Sequence, residues 1–220
     1  VDKVAVVRAK HIVWDWNGTV FADNEAVLAA VNAVCLGFGR TAITLDHWRS
    51  IFSRPLLACY ERLLEQPLTL ADWARIDALY HDEYRALLPI CGLAAGVPDD
   101  LHAWRDRGRT QSLLSMWFHS ELVPLVTEYG LHDLFARVDG LRERTGGGSK
   151  AEHLAEHLAA QRLDPADVVL IGDVVDDADA AAHVGAGCVL VTTGVMSRQA
   201  LEATGVPVVD SIPDALMYLV

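Results

Sequence analysis

Four places in this 220-residue chain set chemically able side chains directly beyond a short apolar run or at the start of a helix. The first is Asp15, with Asn17, Gly18 and Thr19, following Ile12-Val13-Trp14. The second is Ser115, with Met116 beside it, following Ser112-Leu113-Leu114. The third is Lys150, and the fourth is Gly172-Asp173 with Asp176 and Asp177. Together they offer two groups of carboxylates, a hydroxyl and an ammonium. Two carboxylates from different strand ends can hold a hard divalent cation, and magnesium favours few carboxylates, several waters and the oxygens of a phosphate. Such a cation would relieve the repulsion between an attacking aspartate and a phosphate dianion. Ser115 and Lys150 then suit the transferring phosphoryl oxygens, helped by amides at the helix start.

The elements needed to bring these groups together can be read from the pattern. Ile12-Val13-Trp14 reads as a strand that delivers Asp15 into a turn. From Asp23 to about Leu88 the spacing becomes helical, with stripes Val27/Leu28/Val31/Val34 and Trp73/Ile76/Leu79/Tyr80, and Thr69 with Asp72 forms a capping box. Pro89 to Pro98 closes that insert. Strands at Gln111–Leu114, Ala136–Val138, Val168–Ile171, Cys188–Val191 and Val206–Val209 then alternate with helices near 99–107, 121–129, 149–161 and 178–184 and after Ser211. The expected fold is α/β: a Rossmann-like parallel sheet covered on both faces, residues 1–20 and 94–220, with an all-helical cap inserted at 21–93. In open parallel sheets ligands bind beyond the carboxyl ends of the strands, where all four groups fall.

Composition narrows the function classes. With 52% hydrophobic residues the chain can bury a sizeable core, and its apolar runs are too short to span a bilayer. Val1 to Lys10 lacks the apolar stretch of a secretory signal, so a cytoplasmic protein without a membrane partner is expected. A net charge of −12 argues against a nucleic-acid backbone as partner and leaves room for small phosphorylated metabolites. Cys35, Cys59, Cys91 and Cys188 lack metal or redox spacing and read as reduced thiols. A monomer and a homodimer are both compatible with the sequence.

Trp14-Asp15-Trp16-Asn17-Gly18-Thr19-Val20 resembles the first motif of the haloacid dehalogenase superfamily, usually Asp-x-Asp-Gly-Thr. Ser115 is similar to its second motif, Lys150 to its third, and Gly172-Asp173-Val174-Val175-Asp176-Asp177 to its fourth. Ala95-Gly96-Val97-Pro98 and the stretch 180–194 resemble the phosphoglycolate-phosphatase-like branch. The resemblance implies a magnesium-dependent phosphatase with Asp15 as covalent nucleophile, forming an aspartyl phosphate. It implies magnesium held by Asp15, the carbonyl of Asn17 and Asp173, with Asp177 in or just beyond that shell. Gly18, Ser115, Met116, Lys150 and, from the insert, Arg54 would contact substrate. Arg54, beside Pro55, equally suits a surface ion pair.

Position 17 departs from the family pattern. Its phosphatases carry there a second aspartate that protonates the leaving oxygen and later activates water, and asparagine does neither. Loss of a general acid/base costs about 100- to 10,000-fold. Turnover is then slow, or another group substitutes (His119 is a candidate, though it also reads as a structural histidine), or the leaving group needs little protonation. Three alternatives therefore stay open: a phosphatase, a phosphotransferase or mutase, and a phosphate-ligand binding protein. The dehalogenase branch leaves the acidic cluster without a purpose. A phosphonatase mechanism lacks its cap lysine, since none occurs between Lys10 and Lys150. Smaller expectations are that Trp14 is core and Trp16 lines the cleft, that His153 and His157 lie on an exposed helix face, and that Asp176 either joins the acidic cluster or caps its helix.

Overall fold

All four residues of β1 (His11–Trp14) are buried, as a strand flanked on both edges and covered on both faces demands. The computed structural model describes residues 9–142 and 149–219. After β1 come β2 (Phe21–Ala22), four helices α1 (Asn24–Gly37), α2 (Leu45–Ile51), α3 (Leu56–Leu64) and α4 (Leu70–Leu87), and β3 (Gly92–Leu93). The chain continues through α5 (Val97–Asp106), β4 (Thr110–Phe118), α6 (His119–Glu128) and β5 (Val138–Leu141). It ends with α7 (Lys150–Gln161), β6 (Val168–Gly172), α8 (Val175–Val184), β7 (Gly187–Val191), α9 (Arg198–Glu202), β8 (Val208–Val209) and α10 (Ile212–Met217).

The main sheet runs β5-β4-β1-β6-β7-β8, with every neighbouring pair parallel. The chain moves outward from β1 through β4 to β5, then returns to the other side of β1 and continues through β6, β7 and β8. The reversal beside β1 is the switch point at which open α/β sheets place their ligands. Val13, Leu114, Leu170 and Leu190 face one buried layer, while Ile12, Trp14, Leu113, Ile171 and Val191 face the other.

The regular elements between β2 and β3 are all helices, and these two short strands pair antiparallel, Phe21 with Leu93 and Ala22 with Gly92. Both expected capping boxes form: Thr69 Oγ1 accepts from the Asp72 amide, and Ser149 Oγ from the Glu152 amide. Ala26, Val27, Ala30, Val31 and Val34 of α1 are buried, and α1 packs on α4. Among the described residues no helix is long and apolar enough to cross a membrane, and the four cysteines are free thiols.

Several expectations need correction. The strand expected at 111–114 continues to Phe118, with a register shift against β5 between Leu114 and Phe118. Ser115 therefore lies inside an irregular strand instead of after a regular one. β5 starts at Val138, not Ala136, and β8 holds only Val208 and Val209. His157 is buried, not exposed: its imidazole bonds to Ser112 Oγ at 2.7 Å and Asp139 Oδ2 at 2.7 Å. Trp16 is fully buried and stacks on Phe21 with ring centroids 5.1 Å apart. The chain turns after Asp15, so strand alternation no longer predicts where position 16 points.

Candidate active site

Asp15 is the first residue beyond β1, and its amide donates to the Ile171 carbonyl at 2.9 Å, extending the parallel register by one residue. This places its carboxylate at the mouth of the switch point, where it is only 7% exposed. Lys150, the first residue of α7, is buried and donates its ammonium to Asp15 Oδ1 while also pairing with Asp177 Oδ1. Burial works against the charged form of Lys150, but Asp15 and Asp177 more than reverse that, and its pKa lies above the ordinary lysine value.

Asp173 follows β6 and shares the same pocket. Its Oδ1 accepts from Thr19 Oγ1 at 3.4 Å and its Oδ2 from the Val195 amide at 3.3 Å. Two glycines leave room for it: a Cβ at Gly194 would sit 1.6 Å from Asp173 Oδ2, and one at Gly18 would sit 2.6 Å away. Gly18 has φ of +72°, a second reason for glycine there. Its amide donates to Asp23 Oδ1 at 2.9 Å and to the Phe21 carbonyl, while the residue itself borders the cavity.

Crowding of carboxylates dominates the electrostatics. Burial raises the Asp15 pKa to about 7 against the pull of Lys150, and Asp177 and Asp23 push it further. Burial, then Asp15 and Asp177, hold Asp173 well above the carboxylate range. Four buried carboxylates, Asp15, Asp23, Asp173 and Asp177, thus face one ammonium. This excess of negative charge at two strand ends fits a divalent cation. Among the described residues no group of three His, Cys, Asp or Glu side chains could enclose a metal. The available donors are accordingly the carboxylates of Asp15 and Asp173 and the main-chain carbonyl of Asn17, the sparse oxygen set that suits magnesium. Asp177, expected in or just beyond the metal's shell, pairs through Oδ1 with Lys150, and its Oδ2 accepts from the Val174 amide at 3.1 Å. Asp177, not Asp176, also closes the N-terminus of α8. Asp176 instead pairs with Arg54 Nε at 2.7 Å, so the arginine bridges from the insert to the core.

Ser115 is buried; its Oγ donates to Asn17 Oδ1 at 3.3 Å and accepts from the Trp117 amide at 3.0 Å. Asn17 Nδ2 donates to Asp23 Oδ2 at 2.9 Å and to Tyr84 Oη at 2.8 Å, and Tyr84 Oη donates to Asp23 Oδ2 at 2.7 Å. Asp23 and Tyr84 were missed from the sequence. Asp23 stands at the N-cap of α1 yet makes no side-chain cap bond, turning into the pocket instead. Burial raises its pKa while Tyr84, Asn17 and the Gly18 amide oppose the rise. His119 accepts from the Gly140 amide at 3.2 Å and is not part of the pocket wall, so it does not replace the missing acid.

Asp15, Asn17, Gly18, Ser115, Met116, Lys150, Asp173 and Arg54 all border one cavity of about 280 Å³, lying between the strand ends and the helical insert. The site expected from scattered motifs is thus one place, with Asp177 behind Lys150.

Comparison with known proteins finds the following similarities. A HAD-hydrolase-like family model matches residues 147–215. The phosphoglycolate phosphatase of Synechococcus elongatus is 29% identical over 200 residues, 87% of this chain and 88% of that protein. Among solved structures, a haloacid dehalogenase-like family hydrolase from Streptococcus pneumoniae superposes with a TM-score of 0.78 at 17% identity, covering 95% of this chain and 97% of that one. A predicted phosphoglycolate phosphatase from Haemophilus somnus gives 0.76 at 17% identity with the same coverage. Four motifs stand in order, their side chains gather at the switch point, and in sequence and fold the chain is similar to haloacid dehalogenase-like hydrolases, phosphoglycolate phosphatases among them.

Proposed function

We propose that the protein is a magnesium-dependent phosphatase that hydrolyses a small phosphorylated metabolite through an aspartyl phosphate on Asp15, with residues 1–20 and 94–220 as catalytic core and 21–93 as cap. The observation that carries this reading is the Asp15 carboxylate at the end of the central strand, paired with Lys150, facing Asp173 and open to the cavity. When bound, the cation held by Asp15, the Asn17 carbonyl and Asp173 neutralises charge between nucleophile and phosphate. Lys150 aligns Asp15 and stays protonated, because two carboxylates flank it. Ser115 offers its hydroxyl to a phosphoryl oxygen once it releases Asn17 Oδ1. The insert covers the pocket and keeps bulk water from the reacting atoms.

Asn17 supports a second reading, a protein that binds the phosphorylated ligand and turns it over poorly. Hydroxyl acceptors in place of water would make the same site a phosphotransferase. Phosphate release from a panel of phosphomonoesters and acyl phosphates, with and without magnesium, separates these. Magnesium-dependent release that disappears in Asp15→Asn upholds the phosphatase. Absence of release, with magnesium bound, favours binding or transfer to a supplied alcohol.

A further inference from the structure

Two independent features of the cavity bear on what leaves when the phosphate is cleaved. The first is the aromatic part of the wall. α4 contributes Trp73, Ile76 and Tyr80, α2 and its end contribute Trp48 and Phe52, and β4 contributes Trp117. Rings also pack on one another at this wall: Trp48 on Phe52 at 5.3 Å, and Tyr84 on Tyr80 at 5.9 Å and on Trp117 at 4.9 Å between centroids. Among the described residues, the basic groups bordering the cavity already have acidic partners. Arg54 pairs with Asp176, Lys150 with Asp15 and Asp177, and His81 Nδ1 lies 3.2 Å from Asp77 Oδ1. A second anionic group on the substrate, such as the carboxylate of phosphoglycolate, would find no spare counter-charge and would meet Asp77. A flat apolar group would find rings. Size agrees, because a cavity of about 150 Å³ accommodates benzene, and about 280 Å³ leaves space for a phosphoryl group besides.

The second feature is Asn17, whose amide is locked onto Asp23 and Tyr84 and has no proton to give to a leaving oxygen. An alkoxide, with a conjugate acid near the pKa of water at about 15.7, needs that proton. A phenoxide, near the tyrosine value of about 10, departs without it.

Resting on the phosphatase reading above, we infer that the substrate is an aryl phosphate, its ring held by the aromatic wall and its phenolic oxygen leaving unprotonated. Asp15 Oδ forms a bond to phosphorus as the phosphorus–oxygen bond to the ring breaks, and the electron pair stays on the phenoxide, which takes a proton from solvent. Water then attacks phosphorus, the bond to Asp15 Oδ breaks, and phosphate and a proton are released.

Four esters test the two halves separately, using the full chain with magnesium. Benzyl against ethyl phosphate reads the ring at equal leaving-group class, and phenyl against benzyl phosphate reads the leaving group. Expected are at least a tenfold higher kcat/KM for benzyl than ethyl phosphate and about 100-fold or more for phenyl over benzyl. 2-Phosphoglycolate should fall below benzyl phosphate. Trp73→Ala should raise KM for phenyl phosphate about tenfold and raise that for 2-phosphoglycolate by a clearly smaller factor. Equal rates for benzyl and ethyl phosphate, preference for 2-phosphoglycolate, or equal losses for both substrates in Trp73→Ala overturn the inference. If no ester is hydrolysed, the phosphatase reading fails instead, and calorimetric binding of benzylphosphonate against phosphonoacetate still decides the pocket: tighter binding of the aromatic compound upholds it, and the reverse order sinks it.

Discussion

Replacing Asn17 by aspartate should convert a selective catalyst into a tolerant one. In the wild type, Asn17 Nδ2 donates to Asp23 Oδ2 at 2.9 Å and Tyr84 Oη at 2.8 Å. In Asn17→Asp the same space holds a second carboxylate against Asp23. At ~3 Å and an effective dielectric of ~20, two ionised carboxylates repel by about 5 kcal/mol, several times the roughly 1.4 kcal/mol that shifts a pKa by one unit. The pair therefore keeps one proton at neutral pH, as carboxylate dyads do. That proton lies beside the leaving oxygen and serves as the acid asparagine cannot provide, so benzyl and ethyl phosphate should gain about 100- to 10,000-fold in kcat/KM. Phenyl phosphate, which does not wait for a proton, should gain tenfold at most, and the phenyl-to-benzyl ratio should collapse. The variant also loses two hydrogen bonds of the buried loop, a cost of about 1–3 kcal/mol. Since the folded pair binds its proton more tightly than the unfolded chain, this deficit grows as pH rises through neutrality. The assay is initial-rate kinetics on the three esters, with thermal melting of each protein at pH 6 and 8. An unchanged phenyl-to-benzyl ratio in a folded variant would refute the argument that position 17 controls protonation of the leaving group.

Further outcomes follow from the same geometry. With asparagine unable to activate water, hydrolysis of the aspartyl phosphate should be slower than its formation, and rapid mixing with phenyl phosphate should show a burst of about one phenol per protein before steady turnover. Gly194→Ala would put a Cβ 1.6 Å from Asp173 Oδ2, so that carboxylate must turn away; phosphate release should fall about 100-fold and the magnesium-induced rise in Tm should shrink. His11 is buried between Thr110 Oγ1 and Ser112 Oγ, and burial, then the neighbouring His157, lowers its pKa to about 4. Because the unfolded chain takes up that proton first, stability present above pH 6.5 should be lost as pH falls toward 4, by up to about 3 kcal/mol. His11→Gln should flatten this part of the Tm profile, and an unchanged profile would count against His11 as its source.

What was legible in the sequence was local. Asp15, Lys150 and Asp173 each follow a strand or open a helix, so a few neighbouring residues suffice to place them at the carboxyl ends of a parallel sheet. Ser115 was found although its strand was cut short, because the register shift near it leaves no trace in apolar alternation. Tyr84 was invisible for the opposite reason: it sits 67 residues from Asn17 and meets it only when α4 packs over the pocket. Asp23 carried a faint signal, a polar residue at a helix start, but nothing local shows that its carboxylate turns away from the cap. His157 was misjudged because its partners, Ser112 and Asp139, lie on β4 and β5, and helical spacing says nothing of a polar partner on a distant strand. Trp16 was assigned by extending a strand period one residue past the point where the strand ends.

Asp15 is fixed from the sheet, through its amide on Ile171, but the loop behind Asp173 is fastened elsewhere. Arg49 of α2 donates twice to the Gly194 carbonyl, at 2.9 and 2.8 Å, and Asn24 of α1 donates to the Thr193 carbonyl at 2.6 Å. The helical insert is therefore not an interchangeable part. Exchanging it for that of a relative, to borrow another substrate range, would strip support from Asp173 while leaving Asp15 in place. A productive chimera must carry residues 193–194 along with the insert, or supply new donors to their two carbonyls.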